Sequence, residues 1–253
     1  MKKKIRADEL LVACGGCESR SRAQALILAG KVKLGTERID KSSRLLPADS
    51  VLEVEKPFPF VGRGGMKLEN FISEQGWSVK DLPILDLGAS TGGFTDCLLQ
   101  RGANKATCVD VGHGQLHYKL RTDPRVTNLE KCNLRDLLPE QLPLPHYPLV
   151  VMDLSFISLK KVLVRAWSFV APHGKLSALI KPQFECLREE ADRGRGVIRD
   201  EEVRTRVLDE ITSFASENLP NAQLIARTEA KPRGTDGNVE YFVAWQKAVT
   251  GID

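Results

Sequence analysis

Apolar positions follow two different rhythms along the chain, and the change between them divides it. In the first stretch the periods are short. Residues 6–13 are apolar on one face and stop at the glycines 15 and 16, as a helix closed by glycine does. Glu18 and Ser19 open a second helix. Its apolar positions Ala23, Leu26, Ile27 and Ala29 fall at helical spacing, and Gly30 closes it. Residues 31–34 alternate polar and apolar as a half-buried strand does. Residues 45–49 read as a turn and 51–54 as a final strand.

From Arg63 onward helices and strands alternate. The pattern predicts helices at 66–75, 94–100, 162–170 and 201–216. It predicts strands at 84–87, 106–111, 149–152, 175–180, 224–226 and 241–245. Such alternation implies a parallel sheet covered by helices on both faces. Between the two stretches lies the string KPFPF at 56–60, whose two prolines can continue neither a helix nor a central strand. The expected organisation is a small α+β domain at 1–56, a stiff linker at 57–62 and an α/β domain at 63–253.

Composition fits two folded domains: 253 residues, 42% apolar and 28% charged. The net charge of +4 matters through its distribution. Residues 1–60 hold 12 Lys+Arg against 8 Asp+Glu, whereas the rest is balanced. A basic segment beside a neutral body suggests an arm for polyanions. The start MKKKIRADELL lacks an apolar core, so no secretory signal is expected, and no apolar run is long enough for a bilayer. A cytoplasmic protein without membrane insertion is the expectation. The pair Cys14 and Cys17 lacks a second ligand pair at zinc spacing, so two free thiols and no metal site are expected. The pattern carries no mark of oligomeric state.

The chemistry concentrates at DLGASTGGFT, residues 86–95, which follows a strand and opens a helix. In a doubly wound sheet a nucleotide-like ligand sits there, with Gly88, Gly92 and Gly93 allowing close approach. The spacing is neither GxGxxG nor a P-loop, which disfavours a dinucleotide or a triphosphate. Asp110 ends the next strand, where a carboxylate can accept both hydroxyls of a ribose. An adenosine ligand without phosphates is implied, and S-adenosylmethionine fits.

LDLGASTGGFTDCLLQRGA followed by VDVGHGQL resembles the TlyA family, often labelled hemolysin A and similar to the FtsJ/RrmJ ribose methyltransferases. The resemblance runs nearly end to end. SRSRAQALILAGKVKLG, at 19–35, resembles that family's S-four-like RNA-binding domain, a small module first known from a ribosomal protein. GRGGMKLE, VVMDLSFISL, LIKPQFE and GNVEYF resemble its methyltransferase domain. The implied fold is a Rossmann-like class I methyltransferase sheet with the small N-terminal domain. The implied activity is 2′-O-methylation of ribosomal RNA in ribosomal subunits, at cytidine, with S-adenosylmethionine as cofactor.

The resemblance also implies a Lys-Asp-Lys-Glu catalytic set at Lys67, Asp153, Lys181 and Glu240. A ribose hydroxyl is a very weak acid, and its proton must leave as the methyl arrives. A lysine can take it if a second ammonium lowers its basicity, which makes Lys181 the expected base and Lys67 the second charge. Asp153 and Glu240 would orient them, although a carboxylate beside a lysine pulls the other way, leaving positioning of the hydroxyl as a large share of the rate. The implied cofactor positions are Asp86, Gly88, Ser90, Thr91, Gly92, Asp110, Glu130, Asn133 and Asp153. The family commonly has Glu-Arg-Thr-Asn where this chain has EKCN at 130–133. Arg6, Arg20, Arg22, Lys31 and Lys33 are the implied RNA contacts. The loops 193–196 and 231–234 are expected to be mobile and near the substrate.

Three other readings compete. An RNA-binding relic is disfavoured by the intact set of four. A pore-former is disfavoured by the absence of apolar spans, and a nicotinamide dehydrogenase by the glycine spacing.

Overall fold

The structure is a computed structural model describing residues 4–55, 59–234 and 236–249. Residue 56 and the first two residues of the expected linker, 57 and 58, lie outside the described residues. The chain divides into two compact units, Met1–Phe58 and Pro59–Asp253.

The first unit runs β1 (Lys4–Arg6), α1 (Ala7–Ala13), α2 (Arg20–Leu28), β2 (Val32–Leu34), β3 (Glu37–Arg38), β4 (Leu45–Pro47) and β5 (Glu53–Val54). Ser19 caps α2 by accepting from the Arg22 amide, which satisfies one of the free donors of the first turn. Residues 45–47 are a strand and not the expected turn: β4 pairs antiparallel with β1 through Ile5 and Leu46. Three-residue strands carry no readable period, and their partners lie about forty residues apart. β2 is the centre of a second small sheet, between β3 and β5. Leu10, Leu11, Ala23, Ile27, Val32 and Ile39 form the core of this unit.

The second unit runs α3 (Arg63–Gln75), β6 (Pro83–Leu87), α4 (Gly93–Gln100), β7 (Lys105–Val109), α5 (Tyr118–Arg121), β8 (Val126–Leu129) and β9 (Tyr147–Met152). It continues with α6 (Leu163–Ser168), β10 (Val170–Ile180), α7 (Pro182–Glu185), α8 (Arg188–Arg193), α9 (Glu201–Asn218), β11 (Ala222–Glu229) and β12 (Tyr241–Lys247). The seven strands lie in the order β11-β12-β10-β9-β6-β7-β8. Successive residues of the central strands serve opposite faces. Val151 joins the layer of α3 and α4, whereas Val150 and Met152 join the layer of α6 and α9.

The expected parallel sheet needs one correction. β12 is antiparallel to both its neighbours, β10 and β11. The described residues between β11 and β12 hold no crossover helix, and the final strand turns back as a hairpin partner and slots in beside β10. From β6 the chain builds outward through β7 and β8, then returns to β9 on the other side. The strand order thus reverses between β6 and β9, where a crevice opens beyond the strand ends.

Candidate active site

The crevice is built from the ends of four strands. Asp86, in β6, is fully buried. Its Oδ2 accepts from the Thr95 amide at 3.1 Å and the Thr95 hydroxyl at 2.7 Å. Its Oδ1 is buried with no hydrogen-bond partner. Burial, with Asp153 nearby, pushes this carboxyl up to about 7.

Gly88 has φ +85, and a Cβ there would stand 2.7 Å from the Asp153 carbonyl oxygen and 2.7 Å from Leu154. Only glycine lets the turn after β6 pass the loop after β9 this closely. Gly92 and Gly93 also answer to helix packing. Gly92 lies against Leu116 and Leu120, and a Cβ on Gly93 would stand 2.9 Å from the Gly65 amide nitrogen. They seat α4 against α5 and the start of α3.

Ser90 donates its amide to Asp110 Oδ2 at 2.8 Å, and the Gly112 amide donates to Oδ1 at 2.7 Å. The Asp110 carboxylate is thereby fixed at the rim of a cleft of about 340 Å³, whose walls include Val111, Cys132, Asn133, Leu134 and Leu154. This is a largely apolar slot with the Asp110 carboxylate oriented at its rim as an acceptor, the arrangement the hydroxyls of an adenosine need. Thr91 lies outside this slot, in the neighbouring cavity. Glu130 lines neither. It accepts from the Gly114 amide at 3.0 Å and from Asn128 at 3.1 Å, and pairs with His113 at 2.6 Å. These contacts, the Gly114 amide foremost, hold its carboxyl below the usual range. Glu130 ties down the loop at 112–115 that carries Gln115 to the slot.

A second cavity of about 260 Å³ adjoins, sharing Gly88, Ser90, Asp153 and Ser155 with the slot. Lys67, Asp153, Lys181 and Glu240 all line it, together with Asp86 and Arg63. The four form two ion pairs. Lys67, buried on α3, donates to Glu240 Oε2 at 2.5 Å. Lys181 Nζ lies 2.7 Å from Asp153 Oδ1 and donates to Ser155 Oγ at 3.0 Å. Strand register explains the second pair. Met152 and Ala178 are partners in the parallel β9–β10 ladder, so the residues just past each strand emerge side by side.

The loop at 231–234 lies beside this cavity. The Asn70 amide donates to the Lys231 carbonyl at 2.8 Å, and a Cβ on Gly234 would stand 2.6 Å from Glu240. The 193–196 segment is tied to the same region by Asn238, which bonds the Gly196 carbonyl at 2.8 Å and the Ile198 amide at 2.9 Å. Several residues of the site escape a reading of the sequence, apolar walls such as Val111 and Leu154 among them, and two bear on the chemistry. Ser155 is one. Phe156 is the other, 90% exposed with φ +64, beside Phe184 at a ring distance of 5.0 Å. An exposed aromatic in a left-handed backbone, on the cleft rim, was signalled only by the apolar letter after Ser155.

In the first unit the five basic residues divide. Arg6 and Arg20 both bond the buried Asp8 carboxylate, at 2.9 Å and 3.1 Å. These contacts, with Gln24, hold Asp8 well below the carboxylate range. Lys31 pairs with Glu55 at 3.1 Å. Arg22 and Lys33 make no ion pair among the described residues. Cys14 and Cys17 are free thiols.

A doubly wound sheet, a glycine turn at its switch point, an oriented ribose-type carboxylate and a lysine–carboxylate cavity define a Rossmann-type methyltransferase. The chain belongs to the FtsJ-like methyltransferase family, whose model matches residues 60–247, and it carries an S4 domain matched over 5–51. It is 38% identical to the 16S/23S rRNA (cytidine-2'-O)-methyltransferase TlyA of Mycobacterium tuberculosis, over 99% of this chain and 92% of that one. A solved Streptococcus thermophilus structure whose description includes the word hemolysin matches with TM-score 0.74 and 34% identity, covering 99% of this chain and 90% of that one. A solved S-adenosylmethionine dependent methyltransferase from Mesorhizobium loti shares the fold, with TM-score 0.51 at 15% identity over 73% of this chain and 100% of that one. No helix among the described residues is long and apolar enough to cross a membrane.

Proposed function

We propose that this protein methylates a ribose 2′-hydroxyl of ribosomal RNA, at cytidine, using S-adenosylmethionine, and that residues 1–56 dock the RNA while residues 63–253 carry the reaction. The observation that carries this reading is the single cavity lined by Lys67, Asp153, Lys181 and Glu240 and opening onto the adenosine slot.

S-adenosylmethionine, bound in the slot, supplies a methyl group already activated on a sulfonium. Asp110 would hold the ribose hydroxyls, and Val111, Cys132 and Leu134 would line the place of the base. The unpartnered Oδ1 of Asp86 would bond the amino-acid end, since a buried polar atom left bare is costly. Lys181 takes the proton of the attacking hydroxyl. Asp153 holds Lys181, and Glu240 holds Lys67, whose charge lies on the wall the developing oxyanion faces. Alignment of the hydroxyl with the methyl carbon does the rest.

Arg22 and Lys33 meet phosphates, and Arg6 and Arg20 act indirectly by bracing α1 against α2 through Asp8. The test is transfer of labelled methyl to purified unmodified ribosomal subunits, beside a Lys181→Ala control. Label on ribosomal RNA that disappears in the control is expected. No transfer to either subunit by a protein that binds the cofactor would refute the reading.

A further inference from the structure

Lys181 has two neighbours, and they do different things. Its ammonium lies 2.7 Å from Asp153 Oδ1, yet that oxygen is buried without any aligned hydrogen bond. The aligned bond goes to Ser155 Oγ, at 3.0 Å. Asp153 therefore supplies attraction to the amine without fixing its rotation. Rotation about the last carbon–nitrogen bond of lysine has three equivalent wells, and a directional partner selects among them.

We infer that Ser155 is a positioning residue of the methyl transfer, its hydroxyl fixing the rotation of the Lys181 amine so that the lone pair faces the ribose hydroxyl. The inference rests on the reading of Lys181 as the base. A neutral amine has two N–H bonds and one lone pair. Ser155 accepts one N–H and so selects the rotational well; of the two directions left, the Asp153 carboxylate attracts the second N–H without an aligned bond, which leaves the lone pair in the third. The balance is simple: the ribose O–H bond breaks as an N–H bond forms on Lys181, and the oxygen gains the methyl carbon as sulfur keeps the electron pair of the broken C–S bond.

The loop carrying Ser155 is built to hold still. Phe156 beside it takes a left-handed backbone that residues with a Cβ rarely adopt. Three residues further on, the Glu185 carboxylate accepts from the Ser158 hydroxyl at 2.6 Å and the Leu159 amide at 2.7 Å. Glu185 ends α7, the short helix that Lys181 itself caps. One carboxylate thus binds the serine loop to the lysine segment, with Phe156 against Phe184 as a second tie. Ser155 also lines both the slot and the catalytic cavity.

The test compares Ser155→Ala and Ser155→Thr with the wild type in four measurements: kcat, KM for ribosomal subunits, cofactor Kd by calorimetry, and melting temperature. Loss of a hydrogen bond to a charged or proton-transferring amine lowers kcat of Ser155→Ala by about tenfold. KM, Kd and melting temperature stay at wild-type values, and Ser155→Thr, which keeps the hydroxyl, recovers most of the rate. The inference is overturned by a wild-type kcat in Ser155→Ala, by a loss that falls on KM or Kd, or by a threonine variant no better than alanine. Absence of transfer by the wild-type protein itself would instead remove the functional reading on which the inference rests.

Discussion

Lys67 and Glu240 stand 173 residues apart in sequence and 2.5 Å apart in space, both buried on the wall of the catalytic cavity. One comes from the first turns of α3 and the other from the residue before β12. The pair joins the two ends of the second unit at the reacting centre.

Removing one partner of such a pair leaves a bare buried charge, at a cost of ~3–5 kcal/mol. Glu240→Ala is therefore expected to destabilise the second unit by that order in urea unfolding. The double variant Lys67→Met, Glu240→Leu is expected to regain most of the loss, because neither charge remains. Neither variant transfers methyl. A double variant no more stable than Glu240→Ala would show that the pair is not the source of the loss.

The position of Lys67 depends on glycine. A Cβ on Gly65 would stand 2.5 Å from Phe60 Cβ and 2.8 Å from the Gly93 carbonyl oxygen. Gly65→Ala pushes α3 away from α4 and carries Lys67 with it. A shift of about 1 Å costs roughly a hundredfold in rate, so kcat is expected to fall by that order while the protein stays folded. A Gly65→Ala enzyme at wild-type rate would show that the approach of the two helices does not set the site.

Asp86 gives the second unit a pH dependence of unusual sign. Its carboxyl is raised from 3.8 to about 7 by burial, so the folded state holds a proton that the unfolded chain has released. Stability is then expected to fall as pH rises from about 4 to about 7 and to level off above. All three tryptophans, Trp77, Trp167 and Trp245, lie in this unit, so their fluorescence during urea unfolding reads it alone. Asp86→Asn should flatten the slope, and an unchanged slope would assign it to another group. Asp8 in the first unit has the opposite sign: its contribution is present above its ordinary value and lost below it.

The basic residues of the first unit should separate by experiment. Arg22→Ala and Lys33→Ala are expected to weaken RNA binding and to reduce its salt dependence, each by about one counterion. Arg6→Ala, which strips a partner from buried Asp8, is expected to reduce stability of the first unit, read by hydrogen exchange of α1 and α2. Equal salt slopes for wild type and Arg22→Ala would remove that residue from the RNA surface.

Much of this was legible in the sequence because it is local. The glycine turn at 86–95, Asp110 after β7 and Asp153 after β9 follow from a strand, its end and the turn beyond. What escaped is non-local. β1 pairs with β4 across some forty residues, and β12 enters the sheet antiparallel, which no periodicity within a strand encodes. Glu130 has contacts that its place in the EKCN string does not reveal. It sits at an expected cofactor position, and its carboxylate also accepts from Gly114 and Asn128 and pairs with His113. Ser155 was invisible because its meaning lies in Lys181, just past another strand.

The central claim is that the methyl lands on a ribose oxygen. The most direct measurement is alkaline hydrolysis of ribosomal RNA labelled by this protein, followed by separation of the fragments. Alkali cleaves RNA through the free 2′-hydroxyl, so a 2′-O-methyl blocks the neighbouring bond. The account predicts that the label appears in an alkali-resistant dinucleotide with cytidine at its 5′ position. Label recovered only in mononucleotides would place the methyl on a base and contradict it.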